Sequence, residues 1–208
     1  MKTLYVSDNF RMRQNRIDMI VVHSMGENIK GKFAPEFLES IGLSCHFYIK
    51  PNGEIIQGVE DVENMVAFHA GESKWGEETN LNKNSIGIEL LVQGNHTWSS
   101  YREEIKKPST FTRKHKQSLE MLCKELMKDF PLITYDRIVE HKDISGKDVR
   151  PNDPKVDVGE GWDHDSFVET LKSKLEEKFI KPEVIDKSNK QTWQKLKEKS
   201  KDFLRTLF

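Results

Sequence analysis

Two histidines are marked out by position rather than by number. His23 and His141 each end a stretch whose pattern predicts a β-strand, and each is followed by a predicted loop. Strand ends on one edge of a sheet converge, so two imidazoles far apart in sequence can share a metal ion. Zinc catalysis needs about three protein ligands and leaves one position for water or substrate. The stretch after His141 is rich in carboxylates, Asp143, Asp148, Asp153 and Asp157, and either of the last two could complete a His/His/Asp set. The competing reading is that the histidines cap strands and bond to nearby carbonyls.

The elements that must position these groups follow from periodicity. Ile17–His23 is β-branched and nearly continuous in apolar character, which predicts a buried central strand. Cys45–Lys50 and Glu54–Gly58 flank Pro51-Asn52-Gly53 and predict a hairpin, because Asn-Gly supplies positive φ without strain. Ser85–Leu91 and Arg137–Glu140 predict two further strands, the latter followed by a polar loop to Gly161. Helices are expected over Phe33–Ser40, over Thr112–Phe130 with Leu119, Leu122, Leu126 and Phe130 as its stripe, and over Asp163–Phe179 with Phe167, Leu171 and Leu175 inward. Residues 71–84 and 92–110 are expected to be long loops of the kind that frame sites. The pattern is α/β, a central mixed β-sheet flanked by helices.

Composition narrows the function. In 208 residues, 33 Lys+Arg against 34 Asp+Glu give a net charge of −1, which argues against a general nucleic-acid binder. Two cysteines, Cys45 and Cys123, suit a reducing compartment, and Cys123 reads as a small buried hydrophobe on its helix. The N-terminus carries no secretory pattern, so the expected localisation is cytoplasmic. Residues 179–208 hold 8 basic and 4 acidic residues, and Asn189–Phe208 reads as a basic amphipathic helix with Trp193, Leu196, Phe203, Leu204 and Leu207 on one face. Such a helix can pack on its own domain, self-associate or lie on an anionic membrane, and packing is the favoured reading. The expected organisation is a domain over 1–178 and an extension over 179–208.

Five segments occur in a telling order: Val21-Val22-His23-Ser24, Ser44-Cys45-His46-Phe47-Tyr48-Ile49, Ala67-Phe68-His69-Ala70-Gly71, Asn84-Ser85-Ile86-Gly87-Ile88-Glu89-Leu90 and Glu140-His141-Lys142-Asp143-Ile144. Together they resemble the zinc-dependent N-acetylmuramoyl-L-alanine amidases of the AmpD type, related to phage lysozyme-like amidases and peptidoglycan-recognition proteins. The resemblance runs from about residue 16 to 178. It implies a mixed sheet flanked by helices, a zinc ion, and cleavage of the amide between the lactyl group of muramic acid and L-alanine of the stem peptide.

Carried over by position, the resemblance implies His23 and His141 as zinc ligands. The third lies in a Lys-x-Asp-x-Gly pattern followed by an aromatic residue, which Lys155-Val156-Asp157-Val158-Gly159 and Trp162 fit. Asp157 is favoured over Asp153, although the spacing from His141 is long, as if Gly146–Asp153 were an insertion. Glu89 is implied as general base, the rival being an inward strand Glu paired with Lys or Arg. Lys155 is implied to stabilise the oxyanion. Related proteins place a Tyr where Cys45 stands, which shifts weight onto Glu89. His69 and Asn84 are expected to contact substrate, with a structural role as the alternative for each. His46 reads as core or as a support of the ligands, and His96, His115 and His164 as surface residues. The expected partners are peptidoglycan fragments, in particular soluble anhydro-muropeptides of wall recycling. A phage-type lysin acting on intact wall is the rival enzyme. A recognition module that binds without cleaving is the rival from another class, and retention of the ligand set weighs against it.

Overall fold

Apolar continuity decides which strands sit in the middle of a sheet, because only strands covered on both faces can be apolar throughout. The structure, a computed structural model, describes residues 3–180, with side chains to Lys174. The helix expected over 189–208 lies outside the described residues, as does the Leu175 side chain. In chain order the elements begin with β1 (Thr3–Leu4), β2 (Phe10–Met12), β3 (Met19–Ile29), β4 (Lys32–Phe33) and α1 (Ala34–Ser40). Next come β5 (Phe47–Ile49), β6 (Ile55–Gln57), β7 (Met65–Ala67), β8 (Lys74–Trp75), β9 (Glu78–Thr79) and β10 (Ser85–His96). They end with α2 (Trp98–Glu104), α3 (Arg113–Asp129), β11 (Ile138–Glu140), α4 (His141–Ser145) and α5 (His164–Ile180).

The main sheet has the order β1-β6-β5-β10-β3-β11, with β4 paired to β3. β10 runs parallel to β3 from Ser85↔Met19 to His96↔Ile29, with an irregularity between Val92 and Asn95. β5 and β6 form the expected antiparallel hairpin, which makes the sheet mixed. Its turn depends on Gly53, whose φ of +85° strains any residue with a Cβ. No helix among the described residues is long and apolar enough to cross a membrane.

Two expected loops are more ordered than their composition suggests. β10 continues to His96 and is followed by α2, while 71–84 contains the β8–β9 hairpin and a 3-10 turn at Leu81–Lys83. Polar residues such as Asn28 and Asn95 are recruited because each strand supplies the other's backbone partners. The polar stretch after β11 likewise opens as a helix, so His141 stands at a helix start rather than in a loop.

The helices cover the sheet with the stripes the sequence carries. α3 buries Leu119, Leu122, Cys123 and Leu126 and is capped by Thr112, whose Oγ1 accepts from His115 N at 3.1 Å. α1 joins Met25, Ile29, Cys45, Tyr48 and Leu91 in one apolar cluster, and Met19, Val21, Leu81, Val139 and Ile144 form another. One compact unit runs to Leu171.

Candidate metal centre

Sheet register brings the chemistry together. Glu89 on β10 is the direct neighbour of His23 on β3, and Glu140 on β11 neighbours Val22, which puts His141 beside His23 at the start of α4. Because successive strand residues alternate faces, His23 shares its face with Val21 and Met25, between the two apolar clusters. A polar site is thus set into an apolar wall: His23, His141 and Glu89 are 3%, 6% and 6% exposed.

Asp157 reaches this point from the irregular segment after α4. Its Oδ2 lies 3.0 Å from His141 Nδ1 and 3.5 Å from His23 Nδ1. Tetrahedral zinc bonds of about 2.0–2.1 Å separate neighbouring ligand atoms by about 3.4 Å, close to both distances. Asp153 does not join the group. It is exposed, and its carboxylate pairs with Arg150 and lies 3.9 Å from Lys155 Nζ.

The ring protons are placed by what lies behind the histidines. The Leu81 carbonyl can only accept, so Ser85 Oγ donates to it at 2.6 Å and must accept from His69 Nε2 at 3.2 Å. That leaves His69 Nδ1 to accept from His23 Nε2 at 2.9 Å. On the other side His141 Nε2 donates to the Ala70 carbonyl at 3.4 Å. Both Nδ1 atoms then present lone pairs toward Asp157, the tautomer a metal ligand requires.

The electrostatics agree with the donor set. Burial, and then the neighbouring His141, lower His23 to about 4, so its ring is neutral at pH 7. Burial pushes the Asp157 carboxyl up, but its two histidine neighbours, His141 first and then His23, outweigh burial and hold it well below the usual carboxylate range. Two imidazole nitrogens and one carboxylate oxygen are donors that suit zinc. Burial, followed by the Asp157 charge, pushes the Glu89 carboxyl well above its ordinary value, with the nearby Lys155 charge opposing.

The remaining expected residues divide. Lys155 is close enough for its charge to act on both Glu89 and His23. Both His69 ring nitrogens are engaged, and its ring lies against Gly87, where a Cβ would stand 2.5 Å from His69 Cγ. Asn84 Nδ2 donates to Asp18 at 2.9 Å and to Glu78 at 2.7 Å, carboxylates that also bind Arg137. It precedes Glu89 by five residues, about 16 Å along a strand.

His46 is fully buried, its Nδ1 accepting from Gly87 N at 2.9 Å. His115 is not on the surface as expected but buried, its Nε2 donating to the Leu91 carbonyl at 3.1 Å. His164 is half-buried and bonds the Ile138 carbonyl at 2.8 Å, and His96 bonds the Gln93 carbonyl at 2.9 Å. Cys45 is buried, and burial together with Glu89 pushes its thiol well up, so it offers no thiolate. Sequence reasoning gives Ser24, Ser85 and Tyr101 no role of their own, because the partners that matter, His69 for Ser85, Val158 for Ser24 and Ser24 for Tyr101, lie in other elements. A surface cleft of about 360 Å³ lined by Arg13, Ile17, Glu63, Asp129 and Leu132 contains none of these groups.

Comparison with known proteins bears on this arrangement. A family profile described as N-acetylmuramoyl-L-alanine amidase matches residues 13–156, ending one residue before Asp157. The chain is 34% identical over 143 residues to the 1,6-anhydro-N-acetylmuramyl-L-alanine amidase AmpD of Haemophilus influenzae, covering 68% of this chain and 66% of that relative. A crystal structure of a selenomethionine AmpD derivative superposes with a TM-score of 0.60 at 22% identity, covering 82% of this chain and 93% of that one. The amidase AmiD from E. coli, in complex with anhydro-N-acetylmuramic acid-L-Ala-D-γ-Glu-L-Lys, gives 0.52 at 25% identity, covering 74% and 57%.

Proposed function

The chain belongs to the N-acetylmuramoyl-L-alanine amidase family, and on that premise we propose that it hydrolyses the amide between the muramoyl lactyl group and L-alanine of peptidoglycan stem peptides. The observation that carries the proposal is the meeting of His23, His141 and Asp157 beside Glu89, at spacings that suit a tetrahedral ion. These three residues would hold zinc. When bound, zinc supplies Lewis acidity, polarising a carbonyl and making water a better nucleophile at neutral pH.

The protein groups do the rest. Glu89 Oε takes the proton of the attacking water and returns it to the departing L-alanine nitrogen. Its raised pKa makes it a stronger base than a solvated carboxylate. The Lys155 ammonium stabilises the negative charge that develops on the carbonyl oxygen. His69 holds the His23 ring in the tautomer that leaves Nδ1 free, a supporting role rather than a substrate contact. Residues 1–178 carry the activity, with 179–208 as an extension.

The likeness to an anhydro-muramyl amidase favours soluble anhydro-muropeptides as substrate, and with them a place in cytoplasmic wall recycling. The zinc-loaded protein, given anhydro-N-acetylmuramic acid carrying L-Ala-D-γ-Glu-L-Lys, should release the free tripeptide by mass spectrometry. It should cleave this compound far faster than intact sacculi. No release of tripeptide would overturn the amidase reading, and efficient clearing of sacculi would overturn the recycling assignment.

A further inference from the structure

The two histidines are spaced by the sheet, because they extend from neighbouring strands in fixed register. Asp157 has no such frame. It lies in the irregular segment between α4 and α5, so its place must be set by tethers. Two tethers hold its backbone, and each comes from the residue that follows one of the histidines. Lys142 N donates to the Asp157 carbonyl at 3.0 Å. Ser24 Oγ donates to the Val158 carbonyl at 2.7 Å.

The first tether is main chain and survives substitution, whereas the second depends on one hydroxyl. That hydroxyl is itself held. Tyr101 Oη, from α2, lies 2.6 Å from Ser24 Oγ and 2.5 Å from the Ser24 carbonyl. With the Ser24 hydrogen committed to Val158, the phenol is the donor in this group, its one hydrogen shared between the Ser24 carbonyl and Ser24 Oγ. Ser24 and Tyr101 are each 4% exposed and Val158 is fully buried, so bulk water does not replace a lost bond.

We propose that Ser24 and Tyr101 are positioning residues for the metal, forming a clamp that fixes the Asp157 carboxylate at ligand distance from His23 and His141. The proposal rests on the metal-centre reading above. It concerns how the chain holds a ligand, since neither residue touches the metal or the substrate.

Zinc affinity of the full-length protein, measured by competition with a chelating dye, tests it, alongside thermal melts of the metal-free protein. Loss of a group that orients a metal ligand typically costs about 10–100-fold in affinity, and Ser24→Ala should fall in that range. Tyr101→Phe, which removes one oxygen, should weaken zinc binding in the same direction but less. Ser24→Thr keeps the hydroxyl and should stay within about threefold of the parent. A folded Ser24→Ala protein with affinity within about twofold of the parent would overturn the clamp, whatever its melting point. So would a loss that Ser24→Thr does not restore. Should Ser24→Ala not fold, parent-like affinity in Tyr101→Phe overturns it instead. A parent protein that binds no zinc would overturn the metal centre, and the clamp with it.

Discussion

Gly87→Ala places a methyl group where the His69 ring already lies. A Cβ on Gly87 would stand 2.5, 2.7 and 2.8 Å from His69 Cγ, Nδ1 and Cδ2. Comfortable carbon contacts begin near about 3.5 Å, so the ring must retreat by about 1 Å. It is held by the 2.9 Å bond to His23 and the 3.2 Å bond to Ser85, and such a retreat breaks at least one of them. Overpacking costs about 1–3 kcal/mol and the lost bond about 1 more, for a destabilisation of about 2–4 kcal/mol. In a domain of this size each kcal/mol lowers the melting temperature by about 2–4 °C, so a fall of roughly 5–15 °C is expected by circular dichroism of the metal-free protein. Zinc affinity should fall about 10–100-fold in the same sample, because His23 loses the partner that sets its tautomer. The double variant Gly87→Ala/His69→Ala has no clash, so its destabilisation should be smaller than the two single effects added. A Gly87→Ala protein with the parent's melting point and zinc affinity would refute this chain of reasoning.

Three further predictions concern the same region. Asp157→Ala should abolish amidase turnover and zinc retention, measured by metal analysis after dialysis, while Asp153→Ala leaves both near parent. The reverse pattern would transfer the ligand role to Asp153. Glu89→Gln should retain zinc and lose about a hundredfold to ten-thousandfold in turnover, and near-normal turnover would point to another base. Burial and the adjacent Arg13 lower His46 to about 3 in the fold. Unfolded His titrates near about 6.5, so as pH falls below that value the unfolded state takes up the proton first. The stability contributed by neutral His46 is therefore complete above about pH 6.5 and declines toward pH 3, by up to about 1.4 kcal/mol per pH unit. Urea melts of the metal-free protein across this window should show a shallower pH dependence in His46→Gln, and identical slopes would count against a neutral buried ring.

The hairpin around Asn52-Gly53, the α3 stripe and the core strands carrying His23 and Glu89 were legible because each depends on neighbours within a few residues. The continuation of β3 to Ile29 and of β10 to His96 was not. Asn28 and Asn95 are poor strand formers alone, and they are extended because two parallel strands satisfy each other's backbone groups. His115 looked like a helix-surface residue, but α3 turns it toward the Leu91 carbonyl, where it completes both a cap and a strand's hydrogen bonding.

By itself the sequence determined the chemistry available here: two strand-end histidines, a glutamate in a core strand, a lysine two residues before an aspartate, and apolar periodicities that demand a sheet flanked by helices. Tertiary structure decided which of these groups meet. It chose Asp157 over Asp153, because only Asp157 is drawn in by bonds from residues beside both histidines, while Asp153 stays in solvent with Arg150. It also chose the partners of His69 and Asn84, which hydrogen-bond to His23 and to Asp18. A side chain's type sets what it can donate or accept, but its partner is set by long-range packing, and the bonds of His69 to His23 and of Asn84 to Asp18 span 46 and 66 residues. Those pairings exist only once parallel strands, whose connections are long, have been brought side by side.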